Sequence, residues 1–193
     1  MVSLKSILAG AALAASAMAA QSAPVLQIDG AGKLAGALGV TIGANTYNVA
    51  FVDGLCAAVY SGCDEASDFL FQTQADANAA SQAIIAQVLE TAAGALFDAQ
   101  PDMTVGCSDQ NYCWLVTHFW QANSGPRNMN VLNQVASNSL GGPYFDPDAS
   151  IRADLTYAVW TRADNTVPTP GTLALAGLGL GLAAFMSRRR TAA

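Results

Sequence analysis

Hydrophobic and polar positions alternate with a period of two in several short stretches and recur at helical spacing in one longer one. Val25, Gln27 and Asp29 oppose Leu26 and Ile28, which predicts a short strand before the turn Gly30-Ala31-Gly32. Two β-rich runs, 40–42 and 47–52, flank the Gly/Asn-containing stretch 43–46 and predict a hairpin. Gly36 and Gly39 predict that its first strand is short or bulged. Further on, Trp114, Val116, His118 and Trp120 alternate with Leu115, Thr117 and Phe119. Both sides are largely apolar, as expected of a central strand covered on both faces. A last strand is predicted over 155–162, where Tyr157, Val159 and Thr161 oppose Thr156, Ala158 and Trp160.

The longest helical signal starts at Thr73. Thr73-x-x-Asp76 is a capping arrangement, with an acid near the positive end of the helix dipole. Ala80, Ile84, Val88, Ala92 and Leu96 then form one stripe, with Ile85, Leu89 and Phe97 beside it and Gln82, Gln87 and Glu90 outward. Gly94 weakens the last turns and Pro101 closes the run. After a loop at 121–128, a shorter helix is expected over 131–140, with Val131, Leu132 and Val135 inward and Gly141-Gly142-Pro143 ending it. Residues 144–154 read as irregular. The pattern predicts an α+β fold, a small mixed sheet packed on one long helix.

Composition separates the ends from the body. The chain has 193 residues and is 52% hydrophobic, with much of the apolar excess at its two extremities. Lys5, an apolar stretch over 7–20 and Ala17-Met18-Ala19 have the order of a secretory signal peptide, residues 1–19, cut after Ala19. No twin arginine is present, so the general secretory route is expected. Near the other end an apolar run over 173–186 is closed by Arg188, Arg189 and Arg190. About 15 apolar residues span roughly 22 Å as a helix, short beside the ~20 residues of an ordinary membrane span. We read it as a single C-terminal transmembrane helix whose arginines stay in the cytoplasm, leaving the body, 20–166, outside the inner membrane. In that body only Lys33, Arg127, Arg152 and Arg162 oppose the 14 acidic residues. Phosphate contacts need clustered cations, so nucleic acid is not an expected partner.

The tail Val167-Pro168-Thr169-Pro170-Gly171-Thr172, the apolar run and the triple arginine together resemble the PEP-CTERM sorting signal of bacterial exported proteins. The resemblance covers residues 167–190 and implies an exosortase-type membrane enzyme as partner. It also implies transient anchoring and a final location at the cell surface or in the extracellular polysaccharide matrix. Val167, Pro168, Thr169 and Pro170 would be the sorting motif, with Arg188, Arg189 and Arg190 as the membrane stop. The chain carries Thr169 where the commonest form of the motif has Glu between the prolines. Residues 39–115, with Gly39-Val40-x-Ile42-Gly43, Thr46-Tyr47-x-Val49-x-Phe51-Val52-Asp53-Gly54-x-Cys56 and Cys63-Asp64, are similar to a domain that recurs upstream of such tails. That similarity implies no activity.

Candidate chemistry is sparse. Cys56 and Cys63 form one local pair, Cys107 and Cys113 another, and an even count in an exported chain reads as disulfides. Closure within each pair has the lower entropic cost, with crossed pairing as the alternative. A metal site would want closer cysteine spacing and more than one histidine, so no metal or other cofactor is expected. His118 reads first as a core residue and, alternatively, as the imidazole of a secreted hydrolase acting with Asp109 or Asp146. Asp64, Glu65, Asp68, Asp146 and Asp148 read as solvated loop acids. Trp114, Trp120, Trp160 and Tyr157 read as core aromatics or as a stacking surface for a glycan. No catalytic, cofactor-binding or metal residue is expected. The expected function is that of an exported, surface- or matrix-associated protein without evident catalysis, with glycan binding or polysaccharide hydrolysis as the alternative.

Overall fold

A computed structural model describes residues 22–163 apart from 136. The signal peptide, the sorting motif and the transmembrane segment therefore lie outside the described residues. Among those described, no helix is long and apolar enough to cross a membrane.

Seven strands form one mixed sheet: β1 (Val25–Ile28), β2 (Leu34–Ile42), β3 (Asn45–Val52), β4 (Tyr112–Gln121), β5 (Gly125–Gln134), β6 (Ser137–Tyr144) and β7 (Leu155–Arg162). Their order is β1-β2-β3-β7-β4-β5-β6. Every adjacent pair is antiparallel except β4 and β7, which run parallel over Trp114–Val116 and Leu155–Tyr157. Beyond that register the two strands part. Phe71 enters the gap as a bridge to Phe119, its carbonyl accepting from the Trp120 N–H at 3.0 Å. The expected bulge in the first hairpin strand is present between Ala37 and Val40, where Gly39 takes φ 80°.

One face of the sheet is covered by α2 (Gln74–Ile84), which follows a single short turn, α1 (Cys56–Val59). Thr73 caps α2 as expected: its Oγ1 accepts from the Asp76 N–H at 3.1 Å, and its hydroxyl donates to the Asp76 carboxylate at 2.7 Å. Ala77, Ala80, Ile84, Val88 and Leu89 bury against the sheet with Leu115, Phe119 and Val131. The helix does not continue to Pro101. Its last turn, Ile85–Leu89, is π-helical, and the chain then reverses before a short α3 (Ala95–Ala99). The cause is local: the Thr91 hydroxyl donates to the Val88 carbonyl, and Gly94 packs so closely there that a Cβ would overlap the same oxygen. Ala92 and Leu96 are consequently exposed. Gln87, expected outward, turns to the free edge of β2 and bonds both backbone groups of Thr41, at 2.9 and 2.7 Å.

The second expected helix is absent. Residues 131–134 end β5 and residues 137–140 are the first half of β6, and Val135 between them is exposed. The expected loop shrinks to a turn, so β5 pairs with β4 over ten positions, from Tyr112↔Gln134 to Gln121↔Gly125. Asparagine is a poor strand former when its amide has no partner. Here Asn133 is fully buried and donates to the Phe97 carbonyl at 2.9 Å, a tertiary bond that no local pattern reveals.

The opposite face is covered by two loops. One contains α1 and the turn after it; the other is the irregular stretch 145–154. They are pinned together, the Cys56 N–H donating to Pro147 O and the Ala149 N–H to Gly54 O, both at 2.9 Å. Disulfides join Cys56 to Cys63 and Cys107 to Cys113, the local pairing. The first lies in the loop-covered face and the second in the core under α2. Cysteines paired in this way belong to an oxidising compartment, extracellular or periplasmic.

Candidate functional site

His118 lies at the centre of the loop-covered face. Strand alternation puts it on the same side of β4 as Trp114, Val116 and Trp120, under the loop that carries α1. Four aromatic rings frame the imidazole: Tyr157 at 4.9 Å, Tyr60 at 5.1 Å, and Phe69 and Phe145 each at 5.8 Å between ring centres. The residue is 3% exposed, and neither ring nitrogen has a hydrogen-bond partner among the described residues. Burial lowers its pKa to about 4, the backbone of Asp146 pulling weakly the other way, so the ring is neutral at pH 7. Burial likewise raises the Tyr60 and Tyr157 phenols, with Tyr157 adding to the shift on Tyr60 and Asp146 to that on Tyr157. Both stay protonated and donate, Tyr157 to Asp146 O at 3.0 Å and Tyr60 to Ala158 O at 3.4 Å.

A polar row continues from His118 across the sheet. Its cross-strand partner is the fully buried Asn128, whose Nδ2 donates to Asn130 Oδ1 at 2.6 Å. Asn130 donates in turn to the Tyr144 hydroxyl, while Asn128 Oδ1 has no partner. On the other side of His118, where β4 and β7 part, a cavity of about 220 Å³ is lined by Tyr60, Ser61, Ser67, Asp68 and Val159 among others.

The hydrolase arrangement is not assembled. Asp109 accepts from the Asn111 N–H at 2.8 Å, and the Asp146 carboxylate lies 3.3 Å from the Arg152 guanidinium; neither bonds His118. The serines lining the cavity do not bond it either. The loop acids have local duties. Asp68 accepts from the N–H groups of Asp64 and Glu65, both at 3.0 Å, and Asp148 accepts from Ser150.

No family model matches the chain, and no curated protein or solved structure matches it.

The expected aromatic surface divides. Trp160 is 6% exposed, with its indole N–H donating to Thr117 Oγ1 at 3.2 Å in the helix-side core, and Tyr157 is fully buried. Trp120 is half-buried beside Phe69. Trp114, also half-buried, instead lines a cleft of about 180 Å³ with Asn130, Tyr144, Asp146, Arg152 and Leu155. Arg152 is fixed there by a two-bond fork to Asp154, both bonds at 2.9 Å. The same hydrogen bonding holds the Asp154 carboxyl below the usual carboxylate range.

The structure also brings His118 to the first cysteine pair. Its ring nitrogen and the sulfurs of Cys56 and Cys63 all lie within 4.8 Å of one another. Local spacing carries no trace of this meeting, because the histidine comes from a strand far along the chain.

Proposed function

We propose that this is an exported protein whose body works outside the inner membrane and which an exosortase-type enzyme processes at its C-terminal tail. The observation that carries the reading is the pair of buried, locally closed disulfides in a body set between residues 1–19 and 167–190. Val167, Pro168, Thr169 and Pro170 present the sorting motif, and Arg188, Arg189 and Arg190 hold the tail until it is cut. The test is a non-reducing blot of the full chain from cells with and without the sorting enzyme. Loss of the tail mass and movement to the surface or medium, only when the enzyme is present, is the expected result. The same mass and location in both strains would overturn the reading.

A second reading has its own observation, the Trp114 cleft. A half-buried indole beside Tyr144 and a fixed Arg152–Asp146 pair offers an apolar platform and oriented polar groups, the combination a sugar ring requires. An extracellular polysaccharide is the ligand class it fits. Trp114→Ala should weaken retention on an acidic or neutral polysaccharide column about tenfold, equivalent to about 1.4 kcal/mol. Equal retention of both proteins would end this reading.

A further inference from the structure

We propose that Cys56, Cys63 and His118 form a buried site for one thiophilic d10 metal ion, copper(I) or zinc(II), which becomes available when the Cys56–Cys63 disulfide is reduced. The three donors meet at one point, within 4.8 Å of each other, and are 1%, 6% and 3% exposed. Metal–sulfur bonds of about 2.3 Å and metal–nitrogen bonds of about 2.0–2.1 Å place such donors within that envelope. In the oxidised protein the sulfurs bond each other, which leaves the imidazole with no partner for either nitrogen. A buried polar atom without a partner costs about 1–3 kcal/mol and calls for a reason. A neutral imidazole with a free lone pair is the ligand form of histidine.

The donor set selects the metal class. Two thiolates and an imidazole suit soft d10 ions, whereas calcium and magnesium want oxygen ligands that this cluster lacks. Surrounding rings from Tyr60, Phe69, Phe145 and Tyr157 keep bulk water away, and the neighbouring cavity gives access to the histidine side. The backbone between the cysteines is also unusual. Ser61, Gly62 and Cys63 have φ of 60°, 141° and 62°, a left-handed run that side-chain-bearing residues take at a cost. Cys107–Cys113 is the internal contrast, because no histidine or acid joins it in a cluster among the described residues. The redox step is an exchange with an external dithiol. That dithiol becomes a disulfide, Cys56 and Cys63 become thiols, and both thiols release their protons to solvent as the metal binds.

The experiment uses the full chain, either oxidised or reduced with a dithiol that is then removed anaerobically. Copper(I) is titrated in competition with bicinchoninate and zinc(II) in competition with a chromophoric chelator. Expected is one tightly held ion of at least one of the two kinds in the reduced protein and none in the oxidised. The pair Cys107→Ser, Cys113→Ser should retain uptake. His118→Gln should weaken it by at least about a hundredfold, the upper end of what loss of even an outer partner costs. Uptake of neither ion, or equal uptake without Cys56 and Cys63, would overturn the proposal. X-ray absorption of the loaded wild-type protein gives a second decision that needs no variant. A shell of two sulfurs and one nitrogen supports the site, and a shell of sulfur alone refutes it.

Discussion

The two faces of this sheet are covered in opposite ways. Under α2 the side chains are largely aliphatic, and the buried indole of Trp160 finds its partner in Thr117, although Ser81 Oγ and Asn133 Oδ1 have none among the described residues. Under the loops the packing is aromatic, and it encloses a histidine with two unpartnered nitrogens and an asparagine with one unpartnered oxygen. Adjacent residues of one strand, His118 and Phe119, point into these two environments. What sets the loop-covered face apart is a buried titratable ring, His118, with neither nitrogen partnered among the described residues.

Substitutions on the two faces should therefore differ in size. Phe119→Ala opens a cavity in the fully buried helix-side core and should cost about 3–5 kcal/mol in urea unfolding. A loss below about 1 kcal/mol would show that this face is not the stabilising one. Next in size is acid. The His118 pKa falls from 6.5 in the unfolded chain to about 4 in the folded one, so the unfolded state binds the proton first. Stability should be unaffected above pH 6.5 and fall by about 3 kcal/mol between pH 6.5 and 4. His118→Leu should remove that part of the pH dependence, and at pH 7 should leave stability unchanged or raise it by up to about 1–3 kcal/mol, since it deletes a polar group with no partner. An acid limb of unchanged steepness in the variant would assign the slope to other groups. Smallest is the cap: Thr73→Ala should cost about 1 kcal/mol on the same unfolding scale.

Sequence reading succeeded where an element carries its own periodicity, cap or turn. The first hairpin, the Thr73 cap, the alternation of 114–120 and the run 155–162 all carry their own partners or periodicity. It failed where a close backbone approach outside the helical period, or a distant group, changed the outcome. The stripe through Ala92 and Leu96 looked continuous because nothing in the period announces the folding of Gly94 against the Val88 carbonyl. The stretch read as a loop at 121–128 and a helix over 131–140 is mostly strand instead, its buried asparagine NH2 groups donating to Asn130, Tyr144 and Phe97, partners that no local pattern reveals. The cysteine pairing was legible from spacing, but the approach of His118 to Cys56 and Cys63 was not, since it depends on how β4 lies beneath the loop. The division of the tryptophans was hidden too. Trp114 and Trp160 both alternate on strands, but Trp160 faces the helix-side core while Trp114 faces the loops and lines a cleft.

The position of β7 has a mechanical consequence. It is an interior strand, paired with β3 from Tyr157 to Arg162 and with β4 at its start, and the chain leaves the sheet at Arg162. A pull applied through the tail thus enters along the axis of a strand whose last six residues are bonded to a neighbour. The load is shared as shear across that ladder, whereas a terminal edge strand would peel away rung by rung.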